Sequence, residues 1–146
     1  MQNLNYGVIG NCSTAALISE KGAIEWLCFP EFDSPSVFAA ILDRQKGGHF
    51  GFKVTSDYKV TQSYVPHTNI LSTHFESEEG AFDVVDFMPC YPTSDGKDFY
   101  RPAEIYRYIR WAKGRPRMKV DYRPAPNYAR GKTIYNVTSQ YVETYS

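Results

Sequence analysis

The sequence lacks the features that identify most nucleic-acid-binding and membrane proteins. Its 16 basic and 16 acidic side chains cancel, so no overall field directs the protein to nucleic acid or to an anionic membrane. No apolar run approaches the length that spans a membrane, and residues 1–10 lack the charged start and apolar core of a signal peptide. We therefore expect a cytoplasmic protein that binds neither nucleic acid nor membrane.

Cysteine and cofactor motifs are scarce as well. Cys12, Cys28 and Cys90 are not spaced like zinc ligands, and we expect reduced, mostly buried thiols. The histidines show no ligand spacing, and the sequence contains no P-loop, dinucleotide fingerprint, HExxH helix or nucleophile elbow. The sequence therefore predicts no cofactor and no metal site.

Aromatic residues and alternating hydrophobicity are abundant instead. A hydrophobic content of 42% with 12 Tyr and 9 Phe suits one domain whose core is built from strands. Period-two alternation predicts strands over residues 6–10, 14–19, 23–28, 48–54, 57–65, 69–76, 81–88, 103–112, 117–123 and 133–146. Glycine-containing turns at 20–22, 77–80 and 113–116 predict hairpins, and 89–102 is expected to be a mobile excursion. The pattern as a whole predicts an antiparallel β-sandwich.

The stretch from Gly22 to Leu42 has a different organisation. Phe29-Pro30 ends a strand, and a loop rich in aromatic and acidic residues follows. Ser34 is expected to cap a helix that begins at Pro35 and closes at 47–48. The apolar face of this helix is predicted to consist of Val37, Phe38, Ile41 and Leu42. Loops of this kind often carry function when the scaffold beneath them is rigid.

Paired carboxyl groups are the candidate catalytic groups most worth testing in this sequence. Hydrolysis of a glycosidic bond needs one protonated and one ionised carboxyl group on opposite sides of the bond. The candidates are Glu25, Glu31, Asp33, Asp83 and Asp86. A helix-capping role is favoured for Asp33, and a hydrogen-bonded structural role for Asp86. A self-sufficient hydrolase that uses Glu25 or Asp33 with Asp86 is the least favoured alternative, because so short a sandwich predicts no deep pocket.

Aromatic and arginine side chains have structural alternatives too. Trp26, Phe29, Phe32 and Phe38 can stack on sugar rings, but core or interface packing is favoured. The arginines of the second half are expected to be cross-strand partners of acidic residues rather than a track for phosphates; they are Arg101, Arg107, Arg110, Arg115, Arg117 and Arg123.

A series of short motifs, in one order along the chain, resembles a known family. The motifs lie at residues 6–10, 14–18, 22–30, 32–38, 47–48, 64–66, 68–73, 85–89, 122–124 and 127–129. Together they resemble the N-terminal domain of glycoside hydrolase family 15 proteins, the glucoamylase and trehalase-like enzymes of bacteria and archaea. Two departures are Glu25, where the family often has Asp, and Glu31, where it often has Arg.

The resemblance implies an architecture for the whole protein. Residues 1–146 would form an N-terminal antiparallel β-sandwich, part of a super-sandwich with one short helix and cut at its C-terminal end. The family's (α/α)6 barrel, which holds the two glutamates of an inverting hydrolase, is absent from this sequence. The resemblance therefore implies that the chain contains no catalytic residue, that its partner is the barrel of a parent chain, and that an α-glucoside substrate binds to that barrel.

The resemblance also suggests which residues meet the barrel. We expect the barrel-facing or pocket-rim positions to be Trp26, Phe29, Glu31, Phe32 and Asp33. The alternative is an independent carbohydrate-binding module, with Trp26, Phe29 and tyrosines as a stacking platform. Unpaired strand edges also predict some self-association of the chain.

Overall fold

Strands dominate the structure, as the alternating sequence predicts. The computed structural model describes residues 5–55 and 57–146. Its strands are β1 (Tyr6–Gly10), β2 (Ala15–Ser19), β3 (Ile24–Cys28), β4 (Ser36–Phe38), β5 (His49–Lys53), β6 (Lys59–Tyr64), β7 (Leu71–Glu76), β8 (Gly80–Phe87), β9 (Tyr91–Pro92), β10 (Phe99–Tyr100), β11 (Tyr106–Gly114), β12 (Lys119–Arg123), β13 (Ile134–Val137) and β14 (Val142–Tyr145). A short helix, α1 (Pro126–Ala129), lies between β12 and β13.

Two antiparallel sheets make up most of the molecule. The first sheet has the order β1-β2-β3-β5-β12, with β4 paired to β3, and the second sheet has the order β11-β8-β7-β6. Strands β9 and β10 form a small hairpin, as do β13 and β14. The predicted β-sandwich is therefore confirmed, together with the β1-β2-β3 meander and the β7–β8 hairpin.

The core lies between the two sheets. Ile9, Ile18 and Leu27 of the first sheet pack with Leu71 of the second sheet, and all four are almost completely buried. Each such side chain contributes roughly 1.5–3 kcal/mol to stability by leaving water. A second cluster contains Phe75 and Phe82, whose rings stack in parallel with centroids 4.6 Å apart. Alternation along each strand thus decides which face of each sheet is buried.

The helix predicted after Ser34 is wrong. Ser36–Phe38 is strand β4, with Phe38 opposite Leu27. The backbone N–H groups of Ala39 and Ala40 donate to the carbonyls of Gly47 and Gly48, so the bonds of a helical ladder are replaced by tertiary ones. The side chain of Ser34 does not cap a helix but accepts a hydrogen bond from the Glu31 N–H, within a turn. Helical spacing in this segment was therefore overridden by pairing with β3.

The hairpin predicted across residues 113–116 is also wrong, because β11 and β12 belong to different sheets. Strand β11 pairs with β8 and places Arg107 opposite Asp86. Strand β12 pairs with β5 and places Tyr122 opposite Phe50. The connection crosses from one sheet to the other, a choice that periodicity alone does not specify.

Three smaller expectations also change. The strand predicted over residues 133–146 is the hairpin of β13 and β14, turned at 138–141. The excursion at 89–102 contains the β9–β10 hairpin, in which the rings of Tyr91 and Tyr100 lie 5.6 Å apart. All three cysteines are free, but only Cys28 is buried, whereas Cys12 and Cys90 are exposed. The prediction of mostly buried thiols is therefore wrong.

Candidate functional site

Loops from distant parts of the chain meet at one end of the sandwich, which we call the loop end. It comprises residues 11–14, 29–35, 65–70 and 88–105. Backbone and side-chain hydrogen bonds join these loops: the Phe32 N–H donates to the Ser13 carbonyl, and the Asn69 side-chain amide donates to the Gly10 carbonyl. The loop end is therefore a continuous surface.

The buried side chain of Asn11 joins two loops of the loop end through hydrogen bonds. Its Oδ1 accepts hydrogen bonds from the N–H groups of Ser13 and Thr14 at 3.1 Å each. Its Nδ2 donates to the carbonyl of Pro102 at 3.0 Å. The hydroxyl of Thr14 donates to the Cys28 carbonyl at 2.6 Å. One buried amide thus holds two loops in register, at a position that the sequence analysis did not single out.

The predicted barrel-facing residues divide into two groups. Phe29, Glu31, Phe32 and Asp33 lie on one loop of the loop end. Phe29 packs against the core cluster, whereas the other three are exposed, and Phe32 is 63% exposed. Trp26 lies apart from them in β3, opposite Leu17 and half-buried on the face of the first sheet that points away from the core. The structure therefore brings together four of the five predicted residues.

Beside this loop lies an open cleft that the sequence reasoning missed. Its volume is about 490 Å³, and its apolar walls include Ile70, Phe87 and Met88. Cys12 and His67 also line the cleft, and both have left-handed backbones, with φ of 72° and 62°. Left-handed backbone at residues other than glycine is uncommon and is often found at functional surfaces. The cleft was missed because its walls come from segments that are far apart in sequence.

Asp86, a catalytic candidate from the sequence, has a structural role. It is fully buried, and its carboxylate forms two hydrogen bonds with the guanidinium of Arg107, at 2.8 and 3.1 Å. Burial raises the pKa of Asp86, and the charge and hydrogen bonds of Arg107 oppose that shift. The same guanidinium donates to the carbonyls of Gly22 and Phe50. A buried pair of this kind joins the two sheets and is inaccessible to a substrate.

The remaining carboxyl candidates are engaged or exposed. Asp83 is bound by Arg110, at 2.8 Å, and by Nδ1 of His74, at 2.6 Å. Burial alone would raise the pKa of Asp83, but hydrogen bonds from His74 and Arg110 lower it. The prediction that Arg107 and Arg110 are cross-strand partners is therefore confirmed.

Glu25 accepts a hydrogen bond from the Tyr6 hydroxyl at 2.6 Å. Burial, followed by this bond, raises the pKa of Tyr6 to about 12. The acid–base combinations considered from the sequence all required Asp86, so none of them forms a site for glycosidic hydrolysis.

Comparisons with known proteins identify the family. A model of the trehalase-like N-terminal domain matches residues 5–143. The chain belongs to this family. A trehalase of Thermoplasma volcanium is 36% identical over 132 residues, which are 88% of this chain and 20% of that protein. Trehalase 1 of Sulfolobus acidocaldarius is 51% identical over 85 residues, 57% of this chain and 14% of that protein. No solved structure matches the chain significantly.

The family membership confirms the resemblance inferred from the sequence, at the level of a trehalase-like N-terminal domain. A trehalase of Mycolicibacterium smegmatis, 40% identical over 95 residues, is likewise matched over only 14% of its length. The chain therefore spans a fifth or less of the length of these relatives. No helix in the described part of the chain is long and apolar enough to cross a membrane.

Proposed function

We propose that this chain is the non-catalytic N-terminal domain of a trehalase-like glycoside hydrolase, and that it packs against and positions a catalytic (α/α)6 barrel that hydrolyses α-glucosidic bonds. The observation that carries the proposal is the match to the N-terminal domain family over residues 5–143, in relatives that are at least five times longer than the matched region. The burial of Asp86 in an ion pair supports the non-catalytic part of the proposal, because it keeps this candidate carboxyl group away from a substrate.

The loop end supplies a surface suited to such a partner. Phe32 is exposed beside two acidic side chains, and the neighbouring cleft is walled by apolar residues. Exposed apolar surface of this kind marks contact sites on proteins. We propose that Phe29, Glu31, Phe32 and Asp33 contact the barrel or the rim of its pocket, with Trp26 outside this contact.

The test compares hydrolysis of trehalose and maltooligosaccharides by this chain, by a complete trehalase relative, and by the same relative without the segment that matches this chain. We expect turnover only by the complete relative, because the catalytic carboxyl groups lie elsewhere and their support is lost on deletion. Turnover by the 146-residue chain alone would overturn the proposal, and full activity and stability of the shortened relative would remove the positioning role.

The alternative of an independent carbohydrate-binding module has weaker support. Trp26 and Phe29 are both partly buried, and Phe29 packs against the core, so each ring offers little face for a sugar. Phe32 is the exposed ring of this group. Binding of maltooligosaccharides to the isolated chain, lost in Phe32→Ala, would favour the module over the positioning domain.

A further inference from the structure

The outer face of the first sheet contains a second concave surface, which we call the basic groove. It is lined by Lys21, Glu25, Arg44, His49, Lys53, Asp121 and Arg123, and its volume is about 440 Å³. Ala23, Ala40 and Gly51 form its floor, so small residues create the depression and long side chains form its walls. Strands β3, β5 and β12 supply most of these positions, and the rigid sheet therefore holds the charges in place.

The basic groove has a surplus of positive charge in a chain that is neutral overall. Four lysines and arginines line it, against the two carboxylates of Glu25 and Asp121. The whole sequence has 16 basic and 16 acidic residues, so the surplus is local. A net charge in a concave surface raises the local concentration of the opposite charge. The groove is therefore suited to a negatively charged partner.

The arrangement of the cations indicates an extended partner rather than a single ion. The carboxylate of Asp121 already occupies the point where the basic side chains converge, 2.7 Å from Arg123 and 3.1 Å from both His49 and Lys53. A small anion at that point would be repelled by this carboxylate. The side chains of Arg44, Lys53 and Arg123 nevertheless remain more than half exposed, so their outer ends can pair with acidic groups distributed along a chain.

Apolar side chains continue the surface on one side of the basic groove. Val8, Leu17 and Trp26 lie opposite one another on β1, β2 and β3, on the same outer face. Val8 is 46% exposed, and the other two are partly buried. An apolar row next to a basic groove fits a polypeptide with both acidic and apolar side chains better than it fits a free ion.

We propose that the basic groove docks an acidic segment of polypeptide, supplied by the part of the longer protein that this chain does not contain. The inference deepens the proposed function, on which it rests for the source of the segment. Trehalase relatives devote at least four fifths of their length to sequence outside the matched region, which leaves ample chain to supply such a segment. The loop end and the basic groove would then be two separate contacts with the same partner.

The test measures binding of a fluorescein-labelled hexaglutamate peptide to the 146-residue chain by anisotropy at low ionic strength, with labelled hexaglutamine and hexalysine for comparison. We expect binding of hexaglutamate alone. The double variant Lys53→Gln/Arg123→Gln should weaken it about 2- to 30-fold, because two partly exposed ion pairs are lost. The matched control, Lys59→Gln/Arg117→Gln, removes the same charge from exposed positions outside the groove and should leave binding unchanged.

Three outcomes would overturn the inference. The first is absence of hexaglutamate binding, and the second is equal weakening by the groove and control variants. The third is release of the peptide by inorganic phosphate at an ionic strength far below that at which sodium chloride releases it. The last outcome would identify a small-anion site instead. Peptide binding does not depend on catalysis, so this measurement can fail while the hydrolysis test of the proposed function succeeds, and the reverse also holds.

Discussion

The two long sides of the sandwich, where the edge strands of the sheets face each other, differ: one side is closed and the other is open. On the side of β1 and β6, polar side chains of β6 reach across to the first sheet. The Tyr64 hydroxyl accepts a hydrogen bond from the Val8 N–H at 2.7 Å and donates to the Val8 carbonyl at 2.9 Å. The Gln62 amide donates to the Ser19 carbonyl at 2.8 Å. On this closed side the Tyr64 hydroxyl satisfies the free backbone groups of Val8 in the edge strand β1, a known protection against unwanted pairing.

The opposite side, between β11 and β12, is open. Ile109 and Trp111 of β11 lie opposite the buried Val84 and Phe82, so they point toward the interior of the sandwich, yet they are 39% and 67% exposed. Val120 of β12 lies opposite Phe52 and is 49% exposed. Because these interior-facing apolar residues remain in water, neither sheet covers the other completely on this side, within residues 5–55 and 57–146. The two sides therefore differ in that the edge groups of the closed side are paired, whereas the open side leaves apolar side chains in water, as contact sites on proteins do.

Arg107 joins β11 to the first sheet, and its removal should have the largest effect. Arg107→Ala leaves Asp86 buried without a partner, and we expect a loss of about 3–5 kcal/mol in the free energy of unfolding, measured by urea denaturation. Arg110→Ala, whose side chain is 61% exposed, should cost only about 0–1 kcal/mol. Equal losses in the two variants would show that the buried Arg107–Asp86 pair does not hold β11 to the first sheet.

Self-association should depend on the open side. We expect the chain to associate reversibly in sedimentation equilibrium, and Ile109→Lys to weaken the association about 10- to 100-fold, because an apolar contact is lost. Leu42→Lys, at a position that is 65% exposed in the loop after β4, is the matched control and should leave the association unchanged. A chain that stays monomeric at all concentrations would contradict the prediction.

Loss of the cross-sheet hydrogen bonds on the closed side should lower the free energy of unfolding. Tyr64→Phe removes the hydroxyl and leaves the Val8 backbone groups unpaired, and we expect a loss of about 0.5–1.5 kcal/mol in the free energy of unfolding. Hydrogen exchange of the Val8 amide should accelerate as well. Tyr108→Phe, at an exposed position of β11, serves as the control, and an equal effect there would mean that the hydroxyl does not close this side.

The smallest expected effect concerns acid stability at β12. Burial alone would raise the pKa of Asp121, but hydrogen bonds from Arg123, His49 and Lys53 lower it well below its usual range. The unfolded chain then binds more protons than the folded chain below about pH 4, so the contribution of Asp121 is complete above that pH and is lost as the pH falls. This partly exposed cluster contributes about 1 kcal/mol or less.

Asp121→Asn should therefore make the free energy of unfolding fall less steeply between pH 6 and pH 2, measured by urea denaturation at each pH. The control is Asp33→Asn, which removes an exposed loop carboxyl group outside this cluster. A variant at Asp121 with the wild-type pH dependence would show that its ion pairs do not stabilise the fold.

The local features of this protein followed from its sequence. Alternation of apolar and polar residues located β1 to β3, β5 to β8 and most of β11 and β12, because a strand with one buried face requires that period. Turn glycines located the β7–β8 hairpin, and the order of motifs identified the family. The loop carrying Phe32 and Asp33 was also located correctly, because aromatic and acidic residues there followed a strand-ending proline.

Tertiary structure decided what depends on partners distant in the chain. Val37 and Phe38 fit a helical face and a strand equally well, and pairing with Leu27 made them a strand. The sequence does not specify that β11 joins β8 while β12 joins β5, because strand edges have the same hydrogen-bonding groups wherever they lie. The loop-end cleft and the basic groove are assembled from segments far apart in sequence. The packing of the two sheets brings the residues of the cleft together, and strand pairing within the first sheet brings those of the groove together. Local periodicity contains no information about either arrangement.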